Sequence, residues 1–410
     1  MRRFIALSLA LLYTSLTWAV SGLSISQSTI GNGLESQTLN VLEKDRLGRL
    51  WVGSDVGLSV ISNGTVTNIR EIVSEGGLVM LGNVNAIACT DNILLACEDR
   101  ILCYDHKNKF AVTLKYNDII LKTKDFLLEG DVATFYDSNM HALFSFDMES
   151  QECRMVASFP NKEDYDFVKI LRAESDASVI YLADDKLGLY RFNLSTESLD
   201  HVSGTDRPII AKATAIDRSN IIWLSVPSQG LKGYYINGNY EKVAQYDSKS
   251  VGLLSDDISL ITPLPNGNLL TAHTEAGVCI IGRTNIIDND KVSVETIDNL
   301  KNVTSTLVNS EDRETLYATA GYGLISIKKS FIGQIRHLYE HNNGIISLEN
   351  YISAYEEPEG TVIMATMSNG LCRIDPVNQQ RNILKGTEKL RIVSMCPIDD
   401  DIILMADANK

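Results

Sequence analysis

Proline, tryptophan and histidine are all scarce in this 410-residue chain, at eight, three and six residues. Eight prolines are too few for a proline-rich linker. The histidines, His106, His141, His201, His273, His337 and His341, are scattered, and only the last two are close in sequence. No G-x-S-x-G, H-E-x-x-H or Walker loop is present, so no familiar hydrolase, zinc-protease or nucleotide site is spelled out. The seven cysteines include no C-x-x-C pair, which removes the usual zinc spacings. Basic residues are in deficit, 37 Lys and Arg against 52 Asp and Glu. A surface with that balance repels phosphate backbones and anionic lipid, which argues against nucleic-acid binding. Beyond the N-terminus no stretch approaches the roughly 20 apolar residues of a membrane helix.

The N-terminus reads as a targeting segment. Arg2 and Arg3 form a positive start, residues 4–18 are apolar, and small residues follow at Ala19 and Ser21. Residues 1–21 are therefore expected to be a signal peptide; an uncut anchor is the alternative, and either one exports the remainder. No Cys sits there to take a lipid.

Residues 32–64 contain three β-segments: 38–43, 49–53 and 57–61. Asp45-Arg46-Leu47-Gly48 has tight-turn composition, and Asn63-Gly64 is the strongest two-residue hairpin signal, since both residues accept positive φ. Related text returns along the chain, with W-L-S-V-P-S-Q-G-L at 223–231, Y-A-T-A-G-Y-G-L at 317–324 and M-A-T-M-S-N-G-L at 364–371. Gly57 and Gly188 are 131 residues apart, three steps of about 44; Gly230, Gly277, Gly323 and Gly370 follow at steps of 42, 47, 46 and 47. Several strands per period of 40–50 residues predict a β-propeller of four-stranded antiparallel blades. Helical solenoids share such periods, but no 3.6-residue apolar face is present. The strand text at 23–28 precedes the first repeat; its expected place is the outermost strand of the last blade.

The unit resembles the repeat of the two-component regulator propeller family. The residues that carry the resemblance are Asn32-Gly33-Leu34, Ser36, Asp45, Gly48, Leu50-Trp51-Val52-Gly53-Ser54 and Gly57-Leu58, with Asp217, Trp223, Gly230 and Leu231 repeating part of it. The resemblance implies a periplasmic propeller that feeds a membrane-spanning histidine kinase, or sometimes a diguanylate cyclase. It also implies a seven-bladed ring over residues 22–333 and the start of a second over 334–410; a single eight- or nine-bladed ring is the alternative. The chain stops inside its ninth repeat and is expected to be a fragment.

Comparing the repeats assigns most of their marked positions to structure. Trp51, Trp223, Tyr181 and Tyr317 are read as one packing position between blades, Asp45 and Asp217 as turn acceptors, and Gly57 as a close-approach glycine. The cysteines are read as small core residues, with a Cys97–Cys103 bridge as the exception. The acidic runs Asp256-Asp257 and Asp399-Asp400-Asp401 are read as solvated turns, because they lack a calcium-loop spacing.

The turn between the second and third strands of each blade and the link between blades should lie on one face. That face is predicted to bind ligand through Asp55, Asp184, Asp185, Gln229, Thr274, Glu275, Tyr322 and Asn369, because variable polar residues stand there on a repeated scaffold. The expected ligand is a small molecule or an oligosaccharide, with a homodimer formed through the full-length receptor. No cofactor, metal or catalytic residue is expected in this chain. A secreted lyase or glycosidase and a non-signalling periplasmic binding module are the rival readings.

Overall fold

The computed structural model describes residues 23–159, 165–205, 209–236, 239–283, 292–298, 300–309, 314–329, 351–356, 361–366, 370–374, 381–397 and 403–408. The segment 1–21, His337, His341, Asn369 and the 399–401 aspartates lie outside them. The chain divides into two compact units, one of Ile25–Ile327 and one of the rest.

The larger unit is a ring of seven sheets, antiparallel throughout their four-stranded blades. Blade 1 is Leu39–Lys44, Leu50–Ser54, Leu58–Ser62 and Thr65–Ile69. Blade 2 is Val84–Cys89, Ile93–Cys97, Ile101–Asp105 and Phe110–Thr113, extended by a hairpin of Glu71–Ser74 and Gly77–Met80. Blade 3 is Leu127–Glu129, Val132–Asp137, Ala142–Asp147 and Glu152–Ser158; blade 4 is Lys169–Leu171, Val179–Asp184, Gly188–Asn193 and Ser198–His201. Blade 5 is Thr214–Ile216, Ile221–Val226, Gly230–Tyr235 and Lys242–Tyr246; blade 6 is Ile258–Pro263, Leu269–His273, Gly277–Arg283 and Val292–Asp298. Blade 7 takes three strands from one end, Val303–Asn309, Glu314–Thr319 and Gly323–Lys329, and its fourth, Leu23–Ser28, from the other. The N-terminal strand thus stands where its position in the sequence predicted.

Ring closure follows from who packs on whom. The first strand of blade 1 lies beside those of blades 2 and 7, and the first strands of blades 4, 5, 6 and 7 are successive neighbours. Blades 2, 3 and 4 share one core, in which Leu94, Phe135, Phe144 and Phe192 are completely buried. Across the closing seam Leu39, Leu42 and Val52 of blade 1 pack with Ala318 and Leu324 of blade 7. Each blade alone would leave two apolar faces wet, and burial between neighbours removes that cost. Bulges in the first strands of blades 1, 2, 6 and 7 turn a polar residue aside at matching positions. Two of these residues tie neighbouring blades: Asn40 Nδ2 donates to Val84 O at 3.1 Å, and Thr304 Oγ1 donates to Leu39 O at 2.7 Å.

The repeated glycine before the third strand is required by a carbonyl. At Gly188, φ is +95° and a Cβ would stand 2.1 Å from Thr205 O. At Gly323, φ is +77° and the oxygen is that of Ser28, 2.3 Å from a Cβ. The N-terminal strand therefore presses on blade 7 as Ile69, Tyr246 and Ile297 press on the matching glycines of blades 1, 5 and 6.

The Asp and Trp of the motif are one device. Asp45 Oδ1 accepts from the backbone N–H of Leu47 and of Arg49, both at 2.9 Å, and Asp45 Oδ2 accepts from Trp51 Nε1 at 2.9 Å. Blade 5 repeats it: Asp217 Oδ1 holds Ser219 N and Ile221 N, and Oδ2 takes Trp223 Nε1 at 2.8 Å. The carboxylate thus closes the turn and also satisfies the one polar atom of a fully buried indole. Burial acts to raise the Asp45 pKa, but the bonds from Trp51 and Arg49 outweigh it and hold it below the usual carboxylate value. The hairpin at Asn63-Gly64 has φ of 48° and 76°, as a two-residue type I′ turn needs.

One expectation fails on strand register, and the exceptional cysteine bridge does not form. Tyr317 is not equivalent to Trp51. Pairing of Thr306 with Tyr317, and of Leu42 with Val52, puts Tyr317 at the Val52 position. A one-residue offset reverses the face: Trp51 packs toward blade 2, whereas Tyr317 lies near Glu295 of blade 6. Cys97 and Cys103 are both free thiols, since Cys97 faces the blade 1 side of its sheet and Cys103 the blade 3 side. Burial pushes both thiols up to about 12.

The second unit contains a four-stranded sheet, Tyr351–Glu356, Val362–Thr366, Leu371–Ile374 and Arg381–Ile383. A pair of strands follows, Ile392–Pro397 and Ile403–Asp407. Ile363, Ala365, Leu371 and Ile392 form its core.

Candidate functional site

The residue that ends the second strand of a blade closes the turn that follows. Ser54 Oγ donates to Gly57 O at 3.0 Å, and Thr319 Oγ1 donates to Gly323 O at 2.8 Å. Asp184 occupies the same position, since it pairs with Gly188 as His273 pairs with Gly277. Its Oδ1 accepts from Lys186 N and Leu187 N, its Oδ2 accepts from Asp166 N at 2.8 Å, and it is wholly buried. The structure therefore separates two neighbours that the sequence reading had grouped: Asp184 is internal, and Asp185 is exposed.

The remaining residues divide around the ring. Asp55, Thr274, Glu275 and Tyr322 are exposed and lie on blades 1, 6 and 7, which are consecutive across the closing seam. Asp185 and Gln229 lie on blades 4 and 5, and Gln229 Oε1 accepts from Lys232 Nζ at 2.7 Å. Asn369 falls outside the described residues.

A backbone relay joins the turns of blades 6, 7 and 1. Asn302 N donates to Thr274 O at 2.9 Å, and Ala320 N donates to Asn302 O at 2.9 Å. Gly321 N and Gly323 N both donate to Gln37 O, and Asp55 N donates to Thr38 O at 3.3 Å. Turns and inter-blade links thus share one face, as strand alternation requires. The relay uses main-chain atoms and leaves the side chains of Asp55, Glu275 and Tyr322 projecting. Lys301 Nζ stands 4.0 Å from the Glu275 carboxylate, an exposed and weak pairing. Two carboxylates, a hydroxyl and a half-exposed phenol on a fixed rim can accept hydrogen bonds and stack on a ring.

The 32–36 loop supports this rim. Leu34 is buried in the closing core, Asn68 Nδ2 donates to Gly33 O at 2.8 Å, and Glu35 pairs with Arg70. The aspartates at 256 and 257 are likewise engaged in turns: Asp256 Oδ1 accepts from Ser248 N and Asp257 Oδ1 from Ser228 N. No group of three or more His, Cys, Asp or Glu side chains suited to a metal occurs among the described residues.

Three features escaped the sequence reading. Glu43, on the first strand of blade 1, is half-buried, and desolvation pushes its carboxyl up to about 7. His273 is buried with Nε2 3.1 Å from Thr271 Oγ1, and burial lowers its pKa to about 4. A groove of about 590 Å³ runs between the outer strand of blade 1 and the 71–80 hairpin. The repeat carries no mark for any of them, because each lies where one blade differs from the others.

No protein-family model and no curated protein sequence matches this chain. Solved structures do. The extracellular domain of BT3049 from B. thetaiotaomicron, described as a hybrid two-component system, superposes with a TM-score of 0.57 at 15% identity; the match covers 93% of this chain and 58% of that one. The extracellular domain of BT4673 from B. thetaiotaomicron gives 0.55 at 15% identity, covering 93% and 51%. The WD40 domain of Neurospora crassa Pan2 gives 0.51 at 8% identity, covering 74% and 95%. The fold is accordingly that of the β-propellers. The chain spans a little over half the length of the two bacterial domains it resembles.

Proposed function

We propose that this chain is the ligand-sensing propeller of an exported receptor, acting outside the cytoplasm and signalling through a two-component histidine kinase. The 32–58 motif and the bacterial extracellular domains reached through structure support the same class independently. The observation that carries the binding role is the relay across blades 6, 7 and 1. It fixes the rim through main-chain atoms and leaves Asp55 and Tyr322, and Glu275 with its weak Lys301 pairing, turned toward a ligand. A small polar molecule or an oligosaccharide suits such a surface, since both offer hydroxyl donors to carboxylates. Ligand binding would shift the balance between two receptor arrangements, which is all a sensor has to do. Residues 334–410 would begin a second propeller, as in a receptor with two rings in series.

Calorimetric titration of the exported chain with a panel of soluble mono- and oligosaccharides tests the reading. A sugar that binds wild type should bind Asp55→Ala and Glu275→Ala at least tenfold more weakly. The melting temperature of both variants should stay within about 1 °C of wild type. A bound sugar indifferent to both substitutions would move the site off this face.

A further inference from the structure

Blade 2 differs from the other blades of the ring in carrying two added hairpins. The first, Glu71–Ser74 with Gly77–Met80, joins the outer strand of the blade through pairing of Val73 with Phe110 and Ser74 with Ala111. The second, Lys115–Tyr116 with Ile119–Ile120, follows that outer strand. Of the eight large apolar side chains exposed among the described residues of 25–327, three lie on the first hairpin, Val73, Leu78 and Met80; Ile119 and Ile120 lie on the second, whose Tyr116 packs on Phe144 of blade 3. Leu78 is 60% exposed and Met80 64%. Surface apolar residues gathered in this way mark a contact.

The strand Gly77–Met80 is the last in its sheet, so one backbone edge has no partner within the sheet. It carries no charge, like the outer strands of blades 1 and 7, whereas those of blades 3 to 6 carry Glu152, Asp200, Lys242 and Glu295 among others. Charge on an edge is a standard protection against strand addition, and this edge lacks it. The adjoining groove is lined by Arg49, Arg70 and Lys109 against one carboxylate, Glu71, in a chain with a net charge of -15. The hairpin tip presents the exposed Glu75.

We propose that this hairpin is a contact between two copies of the chain, its edge paired antiparallel with its own image about a two-fold axis. A register centred on Leu78 sets that residue opposite its own image and Gly77 opposite the second copy's Val79. Carried outward, the same register brings Glu75 to the base of the other hairpin, where Leu81 N is bonded to Arg70 O. Each acidic tip then meets the other copy's Arg70, which holds Glu35 of its own chain and is 64% exposed at its side chain. Both apolar edges are covered at once and each Arg70 gains a second carboxylate, as an isologous interface requires. The contact is independent of the sensing role and of any ligand.

Sedimentation equilibrium of the whole chain tests this. Wild type should show a reversible monomer–dimer equilibrium. Leu78→Lys with Met80→Lys should weaken it at least tenfold with an unchanged melting temperature. Glu75→Arg alone should also weaken it with an unchanged melting temperature, and Glu75→Gln should weaken it less than Glu75→Arg does. A wild-type chain that stays monomeric to about 100 μM would overturn the proposal and leave the patch to another partner. A dimer indifferent to both sets of substitutions would overturn it equally.

Discussion

Blades 1 and 5 stand in contrast to blades 3 and 4. In the first pair a buried tryptophan is held by a hydrogen bond to the aspartate that opens its turn. In the second pair aromatic rings cluster on one another, and Tyr136 Oη donates to the backbone oxygen of Tyr165 at 3.1 Å. Tyr136 meets Phe167 edge-on at 4.9 Å, Tyr165 stacks on Phe167 at 4.9 Å and meets Tyr190 at 5.0 Å, and Phe135 stacks on Phe144 at 5.8 Å. Both pairs make the same four-stranded sheets in the same order. A directed bond ties two residue types to fixed spacing and so leaves a motif in the sequence. Ring packing asks only for volume and shape, and many arrangements meet that demand.

The contrast can be tested by substitution. Trp223→Ala removes a fully buried indole and should cost about 3–5 kcal/mol in denaturant unfolding. Asp217→Ala keeps the ring but strands its N–H, and should cost about 1–3 kcal/mol. Phe167→Leu in the aromatic blades should cost less than about 1.5 kcal/mol after repacking. If Phe167→Leu proved as damaging as Asp217→Ala, the two kinds of blade would not differ in tolerance.

Smaller effects should depend on pH. Folded Glu43 keeps its proton up to about 7, whereas an ordinary glutamate releases it near 4.5. The native state therefore loses stability as pH rises between those values and stays lower above them. Glu43→Gln should raise the melting temperature by about 2–4 °C at pH 8 and leave it unchanged at pH 4. His273 has the opposite sense: its value falls from 6.5 to about 4, so stability is lost as pH drops through that window. His273→Thr, the residue that blade 7 uses at this position, should help at pH 5 and not at pH 8. A melting temperature insensitive to pH in both comparisons would contradict these burials.

Strand alternation, the glycine period and the Asn63-Gly64 hairpin made the architecture legible in the sequence. The aspartate and tryptophan were visible too, but the bond between them was not, because sequence shows spacing and not direction. Register was the harder quantity. Tyr317 was placed one residue from its true equivalent, and in a strand one residue is the difference between opposite faces. The turn lengths explain the slip: two residues separate Ser54 from Gly57, but three separate Thr319 from Gly323. The candidate rim was legible as a face and not as a cluster. Nothing in the text at 55, 275 and 322 says that blades 6, 7 and 1 adjoin; that follows only once Leu23–Ser28 completes blade 7.

Asp184 and Asp185 put the separation of framework from recognition surface to the most direct test. Chemical denaturation of Asp184→Ala and Asp185→Ala should show a loss of about 2 kcal/mol or more for the first, which strips three backbone N–H groups of their acceptor. Asp185→Ala should stay within about 0.5 kcal/mol of wild type. Equal losses, or a larger one at Asp185, would contradict the division of these turns into buried closers and free surface residues.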